Sequence, residues 1–246
     1  MIEQHLDIAT ADGPMNSFVV HPDEGGPFPV VLFWMDAPGK REELHDMARR
    51  LASTGYLVVL PNLYHRQTRE FVLKDRTEPE LAKMFALMRT LNRHTAECDA
   101  RAMLAYVDAH PKADATRVGQ VGYCMSGPFV VWAAAAFPER FACLASIHGA
   151  GMATDAPDSP HRVAPQLRCE SYFACAEIDQ WAPPADIQAL QAALVQGQVP
   201  HRIEWFPQAQ HGFVFPQRAV YDKASAERHW ERLHALFARR LQRAAG

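Results

Sequence analysis

The sequence predicts an α/β fold, a mostly parallel central sheet with helices on both faces. Strand-like apolar runs alternate with helix-like patterns along all 246 residues, and this alternation implies parallel strands joined by helices. The run Val30-Val31-Leu32-Phe33-Trp34 is apolar without a break, as suits a strand covered on both faces. The stretch Val121–Gly127, Val-Gly-Tyr-Cys-Met-Ser-Gly, joins a strand-like run to a helix-like one and sets the thiol of Cys124 at a tight turn. No internal repeat, low-complexity segment or linker is visible, so residues 1–246 are read as one domain.

Taken in order, Ile2–Ile8 and Phe18–His21 read as edge strands around a turn at Ala11–Pro14. A Gly/Pro loop over Asp23–Phe28 precedes the strand Pro29–Met35, which ends at Asp36-Ala37-Pro38-Gly39. Leu44, Met47, Ala48 and Leu51 recur at helical spacing, with Gly55 as the stop. Tyr56–Leu60 is a strand, and Asn62–Thr77 is a long polar loop of the kind that carries function over an α/β sheet. Helices follow at Glu78–Leu91 and Thr95–Ala109, then the strand Arg117–Val121 and the helix Pro128–Phe137. The remaining strands are Phe141–Ile147, Cys169–Ala174 and Arg202–Phe206, with a helix over Pro184–Val195. A loop over Phe206–Phe215 holds His211, and a final helix, Ala224–Leu241, carries the stripe Trp230, Leu233, Phe237 and Leu241.

Composition excludes several functions. A net charge of −3 and a pI near 6.4 leave no basic footprint for nucleic acid or a membrane surface. Arg239, Arg240 and Arg243 read instead as charges favouring a helix end. No run is long and apolar enough to span a bilayer. Met1–Gly13 lacks a signal-like apolar region, so the expected location is cytoplasmic. The five cysteines are scattered without a CxxC pair, which points to free thiols and to no metal site.

Ligands of open α/β sheets bind beyond the carboxyl ends of strands. Asp36, Cys124, Asp179 and His211 fall just past such ends. A thiol of ordinary acidity is mostly protonated near neutral pH and gains from a neighbouring base. Histidine suits that role, and a carboxylate on its other nitrogen would fix the tautomer. The order Cys124…Asp179…His211 is the nucleophile–acid–base order of α/β-hydrolases. His148, which precedes Asp179, breaks that order, and Glu177 competes with Asp179 for the acid position.

The turn departs from Gly-x-nucleophile-x-Gly. Centred on Cys124, the first glycine is Gly122, but the second position holds Ser126 and the glycine reappears at Gly127. Centred on Ser126, neither glycine is in place, so Cys124 is the better nucleophile.

These residues resemble the dienelactone hydrolase family, over nearly the whole chain. The resemblance rests on Gly122-Tyr123-Cys124-Met125, on Asp179 before a proline-containing turn and on His211-Gly212-Phe213. It rests also on the block from Arg49-Arg50-Leu51-Ala52 to Leu60-Pro61-Asn62-Leu63-Tyr64. The cysteine-centred turn is the specific part; the rest is shared among α/β-hydrolases. The family implies the α/β-hydrolase fold and a cofactor-free hydrolase that opens ester or enol-lactone bonds. It implies a Cys–His–Asp triad and an acyl-enzyme, and its best-known members convert dienelactone to maleylacetate. A small-molecule substrate and a monomer or small homo-oligomer are expected. The backbone N–H groups of Met125 and Ala37 are the expected oxyanion donors. Trp34, Tyr64, Tyr123 and Phe213 are candidates to line the pocket.

Two positions depart from the family's type members. Asp36 stands where they carry a thiol-activating Glu, and Phe215 stands where they carry an Arg that binds the substrate carboxylate. Arg66, Arg69 and Arg218 are the candidates to substitute for that arginine, each otherwise a surface arginine. The rival readings are a different ester or thioester substrate, and a catalytically silent binding protein on the same fold.

Overall fold

A computed structural model of the protein describes residues 1–242. The chain divides into two compact units, Met1–Thr116 and the part from Arg117 onward.

In the first unit, β1 (Ile2–Thr10) and β2 (Gly13–His21) form an antiparallel hairpin. Its tight turn ends on Gly13 at φ 110°, a conformation that favours glycine. β3 (Phe28–Trp34) pairs in parallel with β4 (Leu57–Pro61), and the order is β1-β2-β4-β3. β2 corrects the sequence reading. It begins at Gly13, not Phe18, and has β1 on one side and β4 on the other, so it is an interior strand. Its paired residues Ser17, Phe18, Val19 and Val20 are all buried.

The helix α1 (Glu42–Ala52) has Glu42 and Glu43 in its first turn and Arg49 and Arg50 in its last. Both ends therefore complement the helix dipole. Gly55, at φ 99°, closes it by donating to the Ala52 carbonyl. α2 (Glu78–Met88) and α3 (Arg93–Ala109) follow, the second opened by a capping box between Asn92 and Thr95. The loop after β4 is irregular, as expected. Asn62 braces it by donating to the carbonyls of Thr68 and Arg69 at 2.9 and 3.0 Å.

β5 (Ala113–Tyr123) carries the chain into the second unit. There β6 (Phe141–Ile147), β7 (Glu170–Ile178) and β8 (His201–Gln210) continue the parallel order β5-β6-β7-β8. The helices are α4 (Gly127–Ala136), the short α5 (Pro160–Val163), α6 (Pro184–Gln196) and α7 (Lys223–Leu241). Two glycines on β5 show that helices cover both faces. A Cβ on Gly119 would lie 2.7 Å from Leu241 of α7, and one on Gly122 would lie 3.0 Å from Val130 of α4. An odd separation puts these positions on opposite faces of a strand. Trp230, Leu233, Phe237 and Leu241 are all buried, as their spacing predicts. Arg239 and Arg240 both pair with Glu170 at the start of β7, the second at 2.6 Å. Arg243 lies outside the described residues. Among the described residues no helix is long and apolar enough to cross a membrane.

Candidate active site

β5 delivers the chain to Cys124, which sits at φ 56° and opens a 3-10 turn, Cys124–Ser126, that runs into α4. A left-handed backbone at a non-glycine residue persists only where its surroundings hold it. Here Ser126 holds it. Its Oγ accepts from Tyr123 N–H and donates to the Tyr123 carbonyl, both at 3.0 Å. The Cys124 carbonyl accepts from Ala150 N–H at 2.9 Å, which ties the turn to the loop after β6. Gly122 allows the turn to fold back, since a Cβ there would lie 2.3 Å from the Ser126 carbonyl oxygen. The second packing glycine is Gly127, where a Cβ would lie 2.4 Å from Gly149 Cα. The displaced glycine thus performs the close approach one residue later.

Asp179 and His211, the candidate acid and base, are brought together by strand register. Ile178 of β7 pairs with Gln210 of β8, so the next residues, Asp179 and His211, emerge side by side. His211 Nδ1 lies 2.7 Å from Asp179 Oδ2, and this carboxylate side chain is fully buried. Asp179 Oδ1 accepts from Trp181 N–H at 2.9 Å, which fixes the carboxylate plane. Glu177 is occupied elsewhere, accepting from Gln208 N–H at 2.6 Å. His211 Nε2 is buried without a fully formed hydrogen bond, yet the Cys124 thiol is close enough to act on it. Catalytic hydrogen bonds are often loose before substrate binds. Burial alone would pull the His211 pKa down, but Asp179 on one side and Cys124 on the other raise it to about 9.

A fully buried aromatic wall stands behind the base. His148, Phe213, Phe215 and Tyr123 pack together, and Tyr123 Oη lies 3.1 Å from His229 Nε2. Tyr123, Phe213 and Phe215 therefore support the site from within the core instead of presenting an open face. Arg218 lies over the Phe215 ring at 4.4 Å and packs on Gly212, whose φ of 93° turns the chain just after the base. The wall role of His148 was not visible in the sequence, since its ring partners Tyr123, His211, Phe213 and Phe215 lie in distant segments of the chain; the Trp181 brace is local, two residues from Asp179.

The family model and the curated relatives agree on one family. The model of the dienelactone hydrolase family matches residues 15–241. This chain belongs to the dienelactone hydrolase family. A protein of Synechocystis sp. named provisionally as a carboxymethylenebutenolidase is 29% identical, over 97% of this chain and 94% of its own. A protein of Methylorubrum extorquens with the same provisional name is 27% identical, over 96% of this chain and 81% of its own. The crystal structure of a provisionally named dienelactone hydrolase from Klebsiella pneumoniae is 26% identical, with a TM-score of 0.87 over 96% of this chain and 98% of that one. The chain therefore has the α/β-hydrolase fold of dienelactone hydrolases and is a hydrolase of their kind.

The remaining candidates of this dienelactone hydrolase-family chain lie in the first unit. Asp36 is fully buried, and its carboxylate is gripped by Arg41, with Nη1–Oδ1 at 2.5 Å and Nη2–Oδ2 at 3.2 Å. Arg41 also donates to Glu43, at 2.6 Å from Nη2, and to the Gly39 carbonyl. Burial works against the Arg41 charge, but Asp36 and Glu43 together raise its pKa. Arg41 escaped the sequence reading because it resembles a surface arginine at a helix start; its two acidic partners five back and two ahead were the available signal. Tyr64 is fully buried and donates to the Ala37 carbonyl at 2.9 Å, and Trp34 is fully buried on β3. Arg66 forks onto Asp99, at 2.7 and 3.2 Å, and donates to Asp12 at 2.7 Å. Its guanidinium therefore joins the β1–β2 turn to α3, and Arg69 pairs with Asp7. Met125 follows Cys124 in the 3-10 turn and is largely buried. Among the described residues no group of His, Cys, Asp and Glu is placed to hold a metal ion.

Proposed function

We propose that the protein cleaves an ester or enol-lactone, with Cys124 as nucleophile, His211 as base and Asp179 as the group that orients the base. The observation that carries this reading is the Asp179–His211 contact of 2.7 Å, and the pull of the Cys124 thiol on the His211 pKa supports it. His211 takes the proton of the Cys124 thiol as it attacks, and the His211 pKa, held up to about 9 by Asp179 and Cys124 against the pull of burial, favours that transfer. The thiolate attacks the carbonyl carbon and forms a C–S bond, and the imidazolium then protonates the departing alkoxide or enolate. Water, deprotonated by His211, attacks the thioester and releases the acid and the free thiol. Met125 N–H is assigned to the developing oxyanion, where one donor is worth roughly 3 kcal/mol of barrier. Ala37 stays the sequence-based candidate for a second donor. No step in this scheme calls for a cofactor.

The substrate is better read as an ester without the carboxylate of dienelactone. Phe215 replaces the expected arginine, and the Arg66 fork is engaged by Asp99 and Asp12. Asp36, paired with Arg41, is assigned the part of an anchored structural carboxylate, not that of a mobile thiol activator. The whole chain is read as one domain acting in the cytoplasm on a small molecule, as a monomer or small homo-oligomer. Support for one domain comes from the family match over residues 15–241.

The test is hydrolysis of neutral aryl esters, simple lactones and dienelactone by the wild type beside Cys124→Ala. Loss of hydrolysis in the variant, with neutral esters turned over better than dienelactone, is expected. Equal hydrolysis by both proteins overturns the nucleophile and favours the silent binding fold. A clear preference for dienelactone overturns the neutral-ester reading alone.

A further inference from the structure

The first unit contains a cavity of about 320 Å³, lined among others by Asn16, Lys40, His45, Arg69, Glu70 and Phe71. None of these residues belongs to the proposed triad. His45, on the first turns of α1, is 8% exposed, and its Nε2 is buried without a hydrogen-bond partner. Asn16 Oδ1 is buried and unpartnered in the same way. Buried polar atoms left unpaired are costly, and two of them on residues that line one cavity point to a ligand that reaches them as the pocket adjusts.

The chemistry of the lining defines that ligand. His45 Nδ1 lies 2.9 Å from Glu42 Oε2, and a carboxylate can only accept, so the ring hydrogen sits on Nδ1. Burial pushes the His45 pKa down, against the pull of Glu42, and the charge of Lys40 pushes it further. The ring is therefore neutral near pH 7, and Nε2 offers a lone pair. It is held in place by Phe18, with centroids 4.4 Å apart, and by His5 at 5.2 Å. His45 Nε2 and Asn16 Oδ1 together present two acceptors and no charge. Lys40 is half-buried, and burial lowers its pKa while Glu70 works to raise it. No carboxylate forms an ion pair with Lys40 among the described residues, whereas Arg69 at the rim is paired with Asp7.

A fitting ligand brings hydrogen-bond donors to the acceptors and an anion to Lys40. An ammonium group would bury a charge against neutral acceptors, which is unfavourable. Hydroxyl groups donate without that penalty, and Phe71 supplies an apolar wall for their carbon chain. We propose that this cavity binds a small hydroxylated carboxylate, its hydroxyls donating to His45 Nε2 and Asn16 Oδ1 and its carboxylate meeting Lys40 Nζ. The proposal is independent of the reaction assigned to Cys124.

The test is calorimetric titration of the protein with glycerate, with propionate, which lacks the hydroxyls, and with glycerol, which lacks the carboxylate. Glycerate is expected to bind about tenfold more tightly than either, because each lacks one set of contacts. His45→Phe and Lys40→Met should each weaken glycerate, and Cys124→Ala should leave it unchanged. Lys40 is partly exposed, so Lys40→Met keeps the test valid if His45→Phe fails to fold. Absence of saturable glycerate binding, or propionate binding as tightly, overturns the proposal. So does binding that is lost in Cys124→Ala and kept in Lys40→Met.

Discussion

The ring of His148 stands edge to face against that of His211, with centroids 4.8 Å apart and planes at 63°. His148 is buried, its backbone is held at φ 38°, and neither ring nitrogen has a hydrogen-bond partner. Burial, and then the charges of His211, Arg218 and His229, push its pKa well below the usual histidine value. A neutral His148 lets His211 carry a proton without placing two buried charges side by side. We expect His148→Phe to preserve the wall while removing two unpaired nitrogens. Its midpoint of chemical unfolding should rise, by up to about 1–3 kcal/mol of stability. Ester hydrolysis should stay within a few-fold of wild type across the pH range. A collapse of activity with unchanged stability would instead show that the nitrogens contact the reacting groups.

The thiols separate by environment. All five cysteines are free, and three are buried. Burial pushes Cys169 up to about 11, Cys175 up to about 12 and Cys143 well above the ordinary thiol value. Cys98 is more accessible, and its sulfur lies 3.6 Å from His94 Nε2 on the surface of α3. Iodoacetamide at neutral pH should therefore modify Cys124 first and Cys98 more slowly, leaving the other three intact. Peptide mapping by mass spectrometry reads the order. In His211→Ala the Cys124 rate should fall about tenfold or more, since an unassisted thiol is only a few per cent thiolate at pH 7.

His211 also links stability to pH. Its pKa rises from 6.5 to about 9 on folding, because Asp179 and Cys124 together outweigh burial. A group whose pKa is raised in the folded state stabilises it fully below the unfolded pKa and ceases to do so above the folded one. The stabilisation should thus be complete below about pH 6.5 and fade as the pH rises through about 9. Thermal midpoints of wild type and His211→Gln, measured from pH 5 to 10 (roughly the span that brackets both pKa values), should differ most at the acid end and converge at the alkaline end. Parallel curves would show that His211 is not held by a charged partner.

What the sequence disclosed follows from which interactions are local. The strand Phe141–Ile147 is bounded as its apolar run predicts, and the α7 stripe is buried as its spacing predicts. β7 and β8 run past their apolar cores because their ends carry exposed residues, Glu177 and Ile178 in one and Pro207, Gln208 and Gln210 in the other. Cys124, Asp179 and His211 stand out as candidates by their order after strands. The contact between Asp179 and His211 depends on the pairing of Ile178 with Gln210, which no local pattern encodes. The same holds for Arg66, whose partner Asp99 is 33 residues away. Spacing in the chain gives such pairs no signature, so an engaged arginine reads like a free one.

The turn that carries Cys124 offers the most local prediction. Its serine and glycine occupy exchanged roles relative to the usual pattern. Ser126 closes two hydrogen bonds on Tyr123, and Gly127 admits the close approach of Gly149. In Gly127→Ala the new Cβ would lie 2.4 Å from Gly149 Cα and 2.6 Å from Ser146 Oγ. Backbone must move to relieve that, so a loss of about 1–3 kcal/mol in urea unfolding is expected. Ser126→Gly would restore the familiar spacing of glycines but delete both hydrogen bonds and free the backbone. It should destabilise by about 1–2 kcal/mol and lower the ester hydrolysis rate, because the strained φ of Cys124 loses its clamp. If Ser126→Gly were neutral while Gly127→Ala was not, packing against Gly149 alone would hold the turn. If Gly127→Ala were neutral, the approach of α4 to the loop after β6 would be looser than these distances require.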